Sequence, residues 1–214
     1  MSKDVIKIML VDDHAVVRSG LRRLMENQAN IVVTVEAENG EQAYQLFSLS
    51  KVDVIVMDLS MPGMGGLESA RRIIGRYPSA KIIIFSMHDN ATFASQVLKA
   101  GVKGYVTKTG ADSDLIKAVQ EVAKGKTYLS PEVAQKIVME NMVGEDNPLN
   151  VLSAREFEVF RLLTEGVTTE GIGTRLKISQ KTVANYHTMI KQKLGVNSPI
   201  EMVRLALRFG VIES

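Results

Sequence analysis

The chain has 214 residues, 45 % of them hydrophobic, and a formal net charge of +2, which suits one large or two small domains with a real core. It contains no cysteine, so disulfides and thiolate metal sites are excluded. No apolar run approaches the roughly 20 residues of a membrane span, and Met1-Ser2-Lys3-Asp4 offers no apolar signal segment, so a cytoplasmic protein that avoids membranes is expected.

Taken in order, Val5 to Val11 reads as a mostly buried strand that runs into Asp12-Asp13-His14. Ala15 to Glu26 has helical spacing, with Val16, Val17, Leu21, Leu24 and Met25 on one apolar face. Ile31 to Glu36 is rich in β-branched residues and predicts a strand; Asn39-Gly40 breaks it, and Glu41 to Leu49 predicts a helix. Val52 to Met57 is apolar except for Asp53, and it ends at Asp58 just before Pro62 and a cluster of glycines. A short apolar run stopped in this way reads as a buried parallel strand. Leu67 to Tyr77 is a helix stopped by Pro78, Lys81 to Ser86 a strand, Ala91 to Ala100 a helix, Gly104 to Lys108 a short strand and Asp112 to Lys124 a helix.

This alternation predicts a five-stranded parallel (βα)5 domain over residues 1–126, flavodoxin-like, with helices on both faces. A further helix is predicted from Ser130-Pro131 to Met142, and the polar Gly144 to Asn150 has the composition of a linker, so 127–150 reads as helix and linker. Beyond Val151 the strand signals vanish. Ala154–Glu165, Thr169–Leu176, Gln180–Leu194 and Pro199–Phe209 predict an all-α four-helix domain over 151–214. Ser153 with Glu156 has the pattern of a capping box, and Ser179 is a candidate N-cap.

In a parallel sheet every strand end of one kind lies on one edge, where ligands bind. The predicted strands deliver Asp12, Asp13, Asp58, Ser86 and Lys108 to that edge. Asp58 alone could cap a helix or start a turn; five such residues together point to chemistry. Crowded carboxylates need a cation to ionise at once. Hard oxygen ligands suit Mg²⁺, which commonly bridges to phosphate, and a Lys and a hydroxyl bind phosphate oxygens. The set fits phosphoryl transfer onto a carboxylate. His14 reads as a helix-start residue near the site, and His88 as a loop residue beside it.

Asp12-Asp13, Asp58 followed by Met61-Pro62-Gly63, Ser86, and Gly104-Tyr105 through Lys108 resemble the receiver domain of two-component response regulators over about residues 1–125. The resemblance implies that a partner histidine kinase phosphorylates Asp58. It implies that Asp12, Asp13, Asp58 and the backbone carbonyl of Ser60 hold Mg²⁺. Lys108 would pair with the phosphoryl group, Ser86 would swing to bond it, and Tyr105 would turn inward in response. Such a protein acts only on itself and is not otherwise an enzyme. Thr109 stands where many receivers have Pro, which leaves the isomer of the Lys108–Thr109 bond open.

The charge is uneven. No acid occurs between Glu170 and Glu201, while Arg175, Lys177, Lys181, Lys191 and Lys193 all do, a pattern that suits a polyanion or a basic solvated face. Thr169–Leu176, a short turn, and Gln180–Leu194 read as helix, turn, helix, with Ile172, Leu176, Ile178, Val183, Ile190 and Leu194 inside. The second helix exposes short polar side chains flanked by Lys, as a helix lying in the major groove does. Leu152-Ser153-Ala154-Arg155-Glu156, Ile178 to Val183 and Lys193-Leu194-Gly195-Val196 resemble the LuxR-type helix-turn-helix of the NarL/FixJ class, over about 149–212. The resemblance implies base-facing Ala184, Asn185 and Thr188, and backbone-facing Lys181, Lys191 and Lys193, with Thr182 in the same contact set. Tyr186 stands where His is common. Gly171 and Gly173 depart from good helix formers, each at up to ~1 kcal/mol against Ala, so the first helix of the pair is expected to be loose without DNA. The whole implies a response-regulator transcription factor that dimerises when phosphorylated and binds promoter DNA. A phosphohydrolase of the haloacid-dehalogenase type is the rival, but it would carry a second Asp where Ser60 stands. A receiver that only docks partners is a second rival, disfavoured by the intact acidic set; RNA binding is weaker still, since stacking aromatics are scarce.

Overall fold

The computed structural model describes residues 5–143 and 147–212; Met1–Asp4 and the part of the expected linker at 144–146 lie outside the described residues. The strands β1 (Ile6–Val11), β2 (Ile31–Ala37), β3 (Val54–Asp58), β4 (Ile82–Ser86), β5 (Gly104–Thr107) and β6 (Tyr128–Leu129) form one sheet in the order β2-β1-β3-β4-β5-β6. Among the described residues every pairing of neighbouring strands is parallel. The sheet therefore has six strands where the sequence predicts five. The extra one is two residues from the stretch read as helix and linker, paired as Gly104↔Tyr128 and Tyr105↔Leu129. Two residues at a sheet edge carry no periodicity, so the pattern reading had nothing to detect.

The helices α1 (Ala15–Glu26) and α5 (Asp112–Ala123) cover one face, and α2 (Gly40–Leu49), α3 (Gly66–Arg76) and α4 (Ala91–Lys99) the other. Because both faces are covered, β3 is buried at every residue, which explains its unbroken apolar run. On α1 the buried positions are Arg18, Leu21 and Met25. Val16, placed by spacing on the apolar face, is 86 % exposed, and the stem of Arg18 takes the inward place instead. Asn39 and Asn90 accept hydrogen bonds from Gln42 N and Phe93 N, so the predicted break after β2 and the turn after β4 are N-caps.

After β6 comes α6 (Pro131–Val143), and a 3₁₀ turn at Pro148–Val151 leads into α7 (Ala154–Thr164), α8 (Thr169–Leu176), α9 (Gln180–Leu194) and α10 (Pro199–Arg208). Ser153 and Glu156 form the predicted capping box, and Ser179 caps α9. The expected looseness of α8 has a counterweight. A Cβ on Gly173 would crowd the Ile178 carbonyl oxygen, so this glycine lets the turn close onto the helix. Among the described residues no helix is long and apolar enough to cross a membrane.

The two halves share one hydrophobic cluster. Phe93 and Val97 of α4, on the sheet side, are continuous with Leu149, Phe157 and Phe160 at the start of the helical domain, and the Phe93 and Phe157 rings meet edge to face at 5.2 Å.

At the start of α3 the chain passes directly under β3. A Cβ on Gly66 would overlap the Asp58 carbonyl oxygen and the Leu59 backbone, and backbone cannot rotate aside. Gly66→Ala is expected to destabilise the protein by about 2 kcal/mol, read as a lower urea midpoint of the receiver transition; an unchanged midpoint would show that the loop yields at no cost.

Candidate functional site

β1 ends at Val11, so Asp12 and Asp13 leave the sheet edge together; β3 ends on Asp58 one strand over, with Val11 beside Met57 in register. β4 ends on Ser86 and β5 on Thr107, with Lys108 next. The Lys108 ammonium reaches back across this edge. Its Nζ donates to Asp12 Oδ2 at 2.8 Å and stands 3.1 Å from Asp58 Oδ1. Lys108 N donates to the Ser86 carbonyl at 2.7 Å, which fixes the start of that reach. The Lys108–Thr109 bond is trans, since no cis peptide occurs among the described residues.

Asp12 and Asp58 are buried. Burial raises the Asp58 carboxyl above the usual carboxylate range, with Lys108 pulling the other way and Asp12 adding to the rise. The Ser60 backbone N–H also holds the Asp58 charge. Burial would lower the Lys108 ammonium, but its bonds to Asp12 and Asp58 win and raise it. One ammonium thus serves two buried carboxylates, and the Asp58 anion is under-compensated.

Asp13 adds a third carboxylate. Its Oδ1 is buried and, apart from the His14 imidazole nitrogen 3.1 Å away, has no polar partner among the described residues. An anionic oxygen so placed beside Asp12 is what a divalent cation would satisfy, so the residues fit a Mg²⁺ site. Ser60 and Asp13 line the same cleft, of about 360 Å³.

Ser86 is fully buried, and its hydroxyl accepts a hydrogen bond from His88 N at 3.1 Å. Tyr105 is already inward: it is fully buried, its hydroxyl donates to the His88 carbonyl at 2.7 Å, and burial holds its proton on. His88 lies stacked on Phe93, ring centroids 4.1 Å apart, which makes it part of the packing and not a bare loop residue.

The sequence reading missed Arg18. It is buried, donates to the Asp12 carbonyl at 2.7 Å, and pairs with Glu36 and Glu38 at 3.3 and 3.1 Å. It thereby pins the loop that carries Asp12. A cation on the inward side of α1, where spacing calls for an apolar residue, was the available signal.

On the helical domain, α9 buries Val183 and Ile190 and exposes Lys181, Ala184, Asn185 and Thr188, with Thr182 and Lys191 partly covered. Thr182 Oγ1 lies 2.8 Å from Ser179 Oγ, and the Thr188 hydroxyl donates to the Ala184 carbonyl at 3.1 Å. Lys193 is exposed, yet its Nζ is 2.7 Å from Glu156 Oε2. The predicted set therefore forms one face, but Lys193 is shared with the capping box of α7.

The helical domain docks beside the acidic edge. Lys177, left-handed at φ 53° in the turn before α9, meets Glu41 at 2.6 Å. Gln96 and Lys99 of α4 donate to the Leu149 carbonyl and to Asn150 Oδ1 at 3.0 and 2.8 Å. Glu158 of α7 lies against Gly65, where a Cβ would strike its carboxylate. It pairs with Arg155 at 3.0 Å, but burial still pushes its carboxyl up to about 7. Arg161 and Arg175 join Asp13 and Ser60 in lining the cleft.

Comparison with known proteins agrees with this two-part layout. Residues 8–120 match the response regulator receiver domain family and residues 150–206 the family of bacterial regulatory proteins, luxR family. The chain is 38 % identical to the oxygen regulatory protein NreC of Staphylococcus carnosus, covering 97 % of this chain and 100 % of that one. It is 35 % identical to the response regulator UvrY of Escherichia coli (strain K12), covering 97 % and 96 %. Its fold resembles RcsB of Salmonella enterica serovar Typhimurium in a structure described as bound to promoter P1flhDC with the phosphomimetic BeF3⁻: TM-score 0.74, 29 % identity, 96 % of this chain and 100 % of that one. With a receiver sheet carrying Asp12, Asp58 and Lys108 at one edge and a helix-turn-helix behind it, the chain belongs to the two-component response regulators with a LuxR-type DNA-binding domain.

Proposed function

We propose that this response regulator accepts a phosphoryl group on Asp58 from a histidine kinase, and that the modification controls dimerisation and promoter binding through α9. The observation that carries the reading is Lys108 held between Asp12 and Asp58, with the buried Asp13 oxygen beside them. An Asp58 carboxylate oxygen would attack phosphorus, forming a P–O bond as the P–N bond to the kinase imidazole breaks. Asp12, Asp13, Asp58 and the Ser60 carbonyl would hold Mg²⁺, which when bound offsets the charge of the phosphoryl oxygens. Lys108 then pairs with the added group, and Ser86 gives up its bond from His88 N to donate its hydroxyl instead. The chain acts on no other substrate.

The docked arrangement supports a population shift. Lys177 and Glu158 tie the helical domain to the receiver next to the acidic edge. Phosphorylation would favour a state in which these contacts part and two copies present α9 to successive half-sites. The phosphorylated protein is read as a homodimer on double-stranded DNA.

Three measurements test this reading. Asp58→Asn is expected to abolish labelling by radioactive acetyl phosphate; full labelling would move the acceptor elsewhere. Lys193→Ala is expected to weaken binding to specific and random DNA alike and to flatten the salt slope by about one unit, whereas a loss confined to the specific site would make it a base reader. The third is pH dependence. Docking holds the Glu158 carboxyl near 7 against an ordinary 4.5, so the docked state binds the proton more tightly. Its contribution is full below about 4.5 and is lost as pH rises through about 7. Burial sets that value, with Arg155 and Arg161 pulling it down and Glu68 adding to the rise. Energy transfer between dyes on the two domains should fall from pH 5.5 to 8 in the wild type and stay flat in Glu158→Gln; equal slopes would remove Glu158 from the interface.

A further inference from the structure

His14 stands at the start of α1, beside Asp12 and Asp13 at the acidic edge. Its Nδ1 is 3.1 Å from Asp13 Oδ1 and 3.3 Å from Asp12 Oδ1, and the three potential ligand atoms lie within 4.8 Å of one another. Neighbouring ligands on an octahedral ion with bonds of about 2.1 Å are about 3.0 Å apart. The two observed separations match that edge to within a few tenths of an ångström. The loop is fixed as well: His14 N donates to Asp12 Oδ1 at 2.8 Å, and Arg18 pins the Asp12 carbonyl. Asp13 Oδ1, the atom nearest the imidazole, has no hydrogen-bond donor among the described residues besides that ring nitrogen. The imidazole itself is 67 % exposed, which leaves a solvent approach for an ion and its waters.

We propose that His14 is a nitrogen ligand of the divalent-cation site and shifts its preference from Mg²⁺ toward ions that accept imidazole, such as Mn²⁺ and Co²⁺. This rests on the reading of Asp12 and Asp13 as cation ligands and adds a donor to it. Oxygen ligands alone suit Mg²⁺, whereas an imidazole favours the first-row transition ions, with affinity rising from Mn²⁺ to Co²⁺. The competing role is a simple ion pair, in which an imidazolium occupies the two carboxylates in place of a metal. The two roles predict opposite signs. Removing a ligand weakens the transition ions selectively, while removing a counterion strengthens all divalent ions.

The test uses the full-length chain. Calorimetric titration with Mg²⁺, Mn²⁺ and Co²⁺ compares wild type with His14→Ala, and pulsed electron paramagnetic resonance on bound Mn²⁺ looks for coupling to a directly bound nitrogen. The Co²⁺-to-Mg²⁺ affinity ratio is expected to fall at least about tenfold in His14→Ala, and the nitrogen coupling of the wild type should vanish. An unchanged ratio, tighter binding of all three ions, or wild-type Mn²⁺ without nitrogen coupling overturns the proposal. Asp13→Asn separates the two levels. If it abolishes binding of all three ions, the carboxylate site stands whatever His14 does; if it changes none of them, the cation-site reading fails and the role of His14 with it.

Discussion

The receiver half depends on one ammonium shared by two buried carboxylates. Lys108 lies 2.8 Å from Asp12 and 3.1 Å from Asp58, and each comes from a different strand end. Only a parallel sheet brings the three there without long loops, because every strand delivers its last residue to the same edge. The arrangement is short of positive charge. Two buried anions face one cation, with Asp13 beside them, and isolated buried charge is costly unless paired. Burial first, and Asp12 after it, raise the Asp58 carboxyl against the pull of Lys108. Crowded buried carboxylates of this kind are relieved by added positive charge. Stability and chemistry therefore make the same demand on these residues.

Much of this was legible from sequence because the relevant signals are local. The apolar run of β3 and its abrupt end at Asp58 announce a buried strand and an edge residue within a few positions. The same holds for Ser86 after β4, Lys108 after β5, and the Ser153–Glu156 capping box. What was not legible depends on neighbours far along the chain. The role of Arg18 depends on Glu36 and Glu38 at the β2 end. Gly173 looked like a weak helix former until the Ile178 carbonyl came against it. Lys193 was expected to face the DNA backbone, yet it pairs with Glu156, 37 positions back in the chain. β6 is too short to leave any periodic trace. Composition and spacing speak for the residue's own element; they say nothing of the element across from it.

The contact between the halves shows how the acidic edge and the helix-turn-helix are physically joined. The His88 peptide is gripped from both sides, its N–H by the Ser86 hydroxyl and its carbonyl by the Tyr105 hydroxyl. Its ring lies flat on Phe93, which in turn meets Phe157 of α7. Ser86 cannot exchange its hydrogen bond without changing the forces on that peptide, and packed aromatic rings shift between discrete fits rather than deform smoothly. A polar set flanks this aromatic path: Glu158 against Gly65, and Lys177 on Glu41. Lys177 sits in the turn that leads into α9, so the same contact that anchors the domain also fixes the entry to that helix. Apolar packing gives the docked state its area, and the Lys177–Glu41 pair adds a charged contact at its edge. An interface built of exposed ion pairs alone, each worth about 0–1 kcal/mol, would scarcely hold; it is the shared cluster of Phe93, Val97, Leu149, Phe157 and Phe160 that keeps the two halves together.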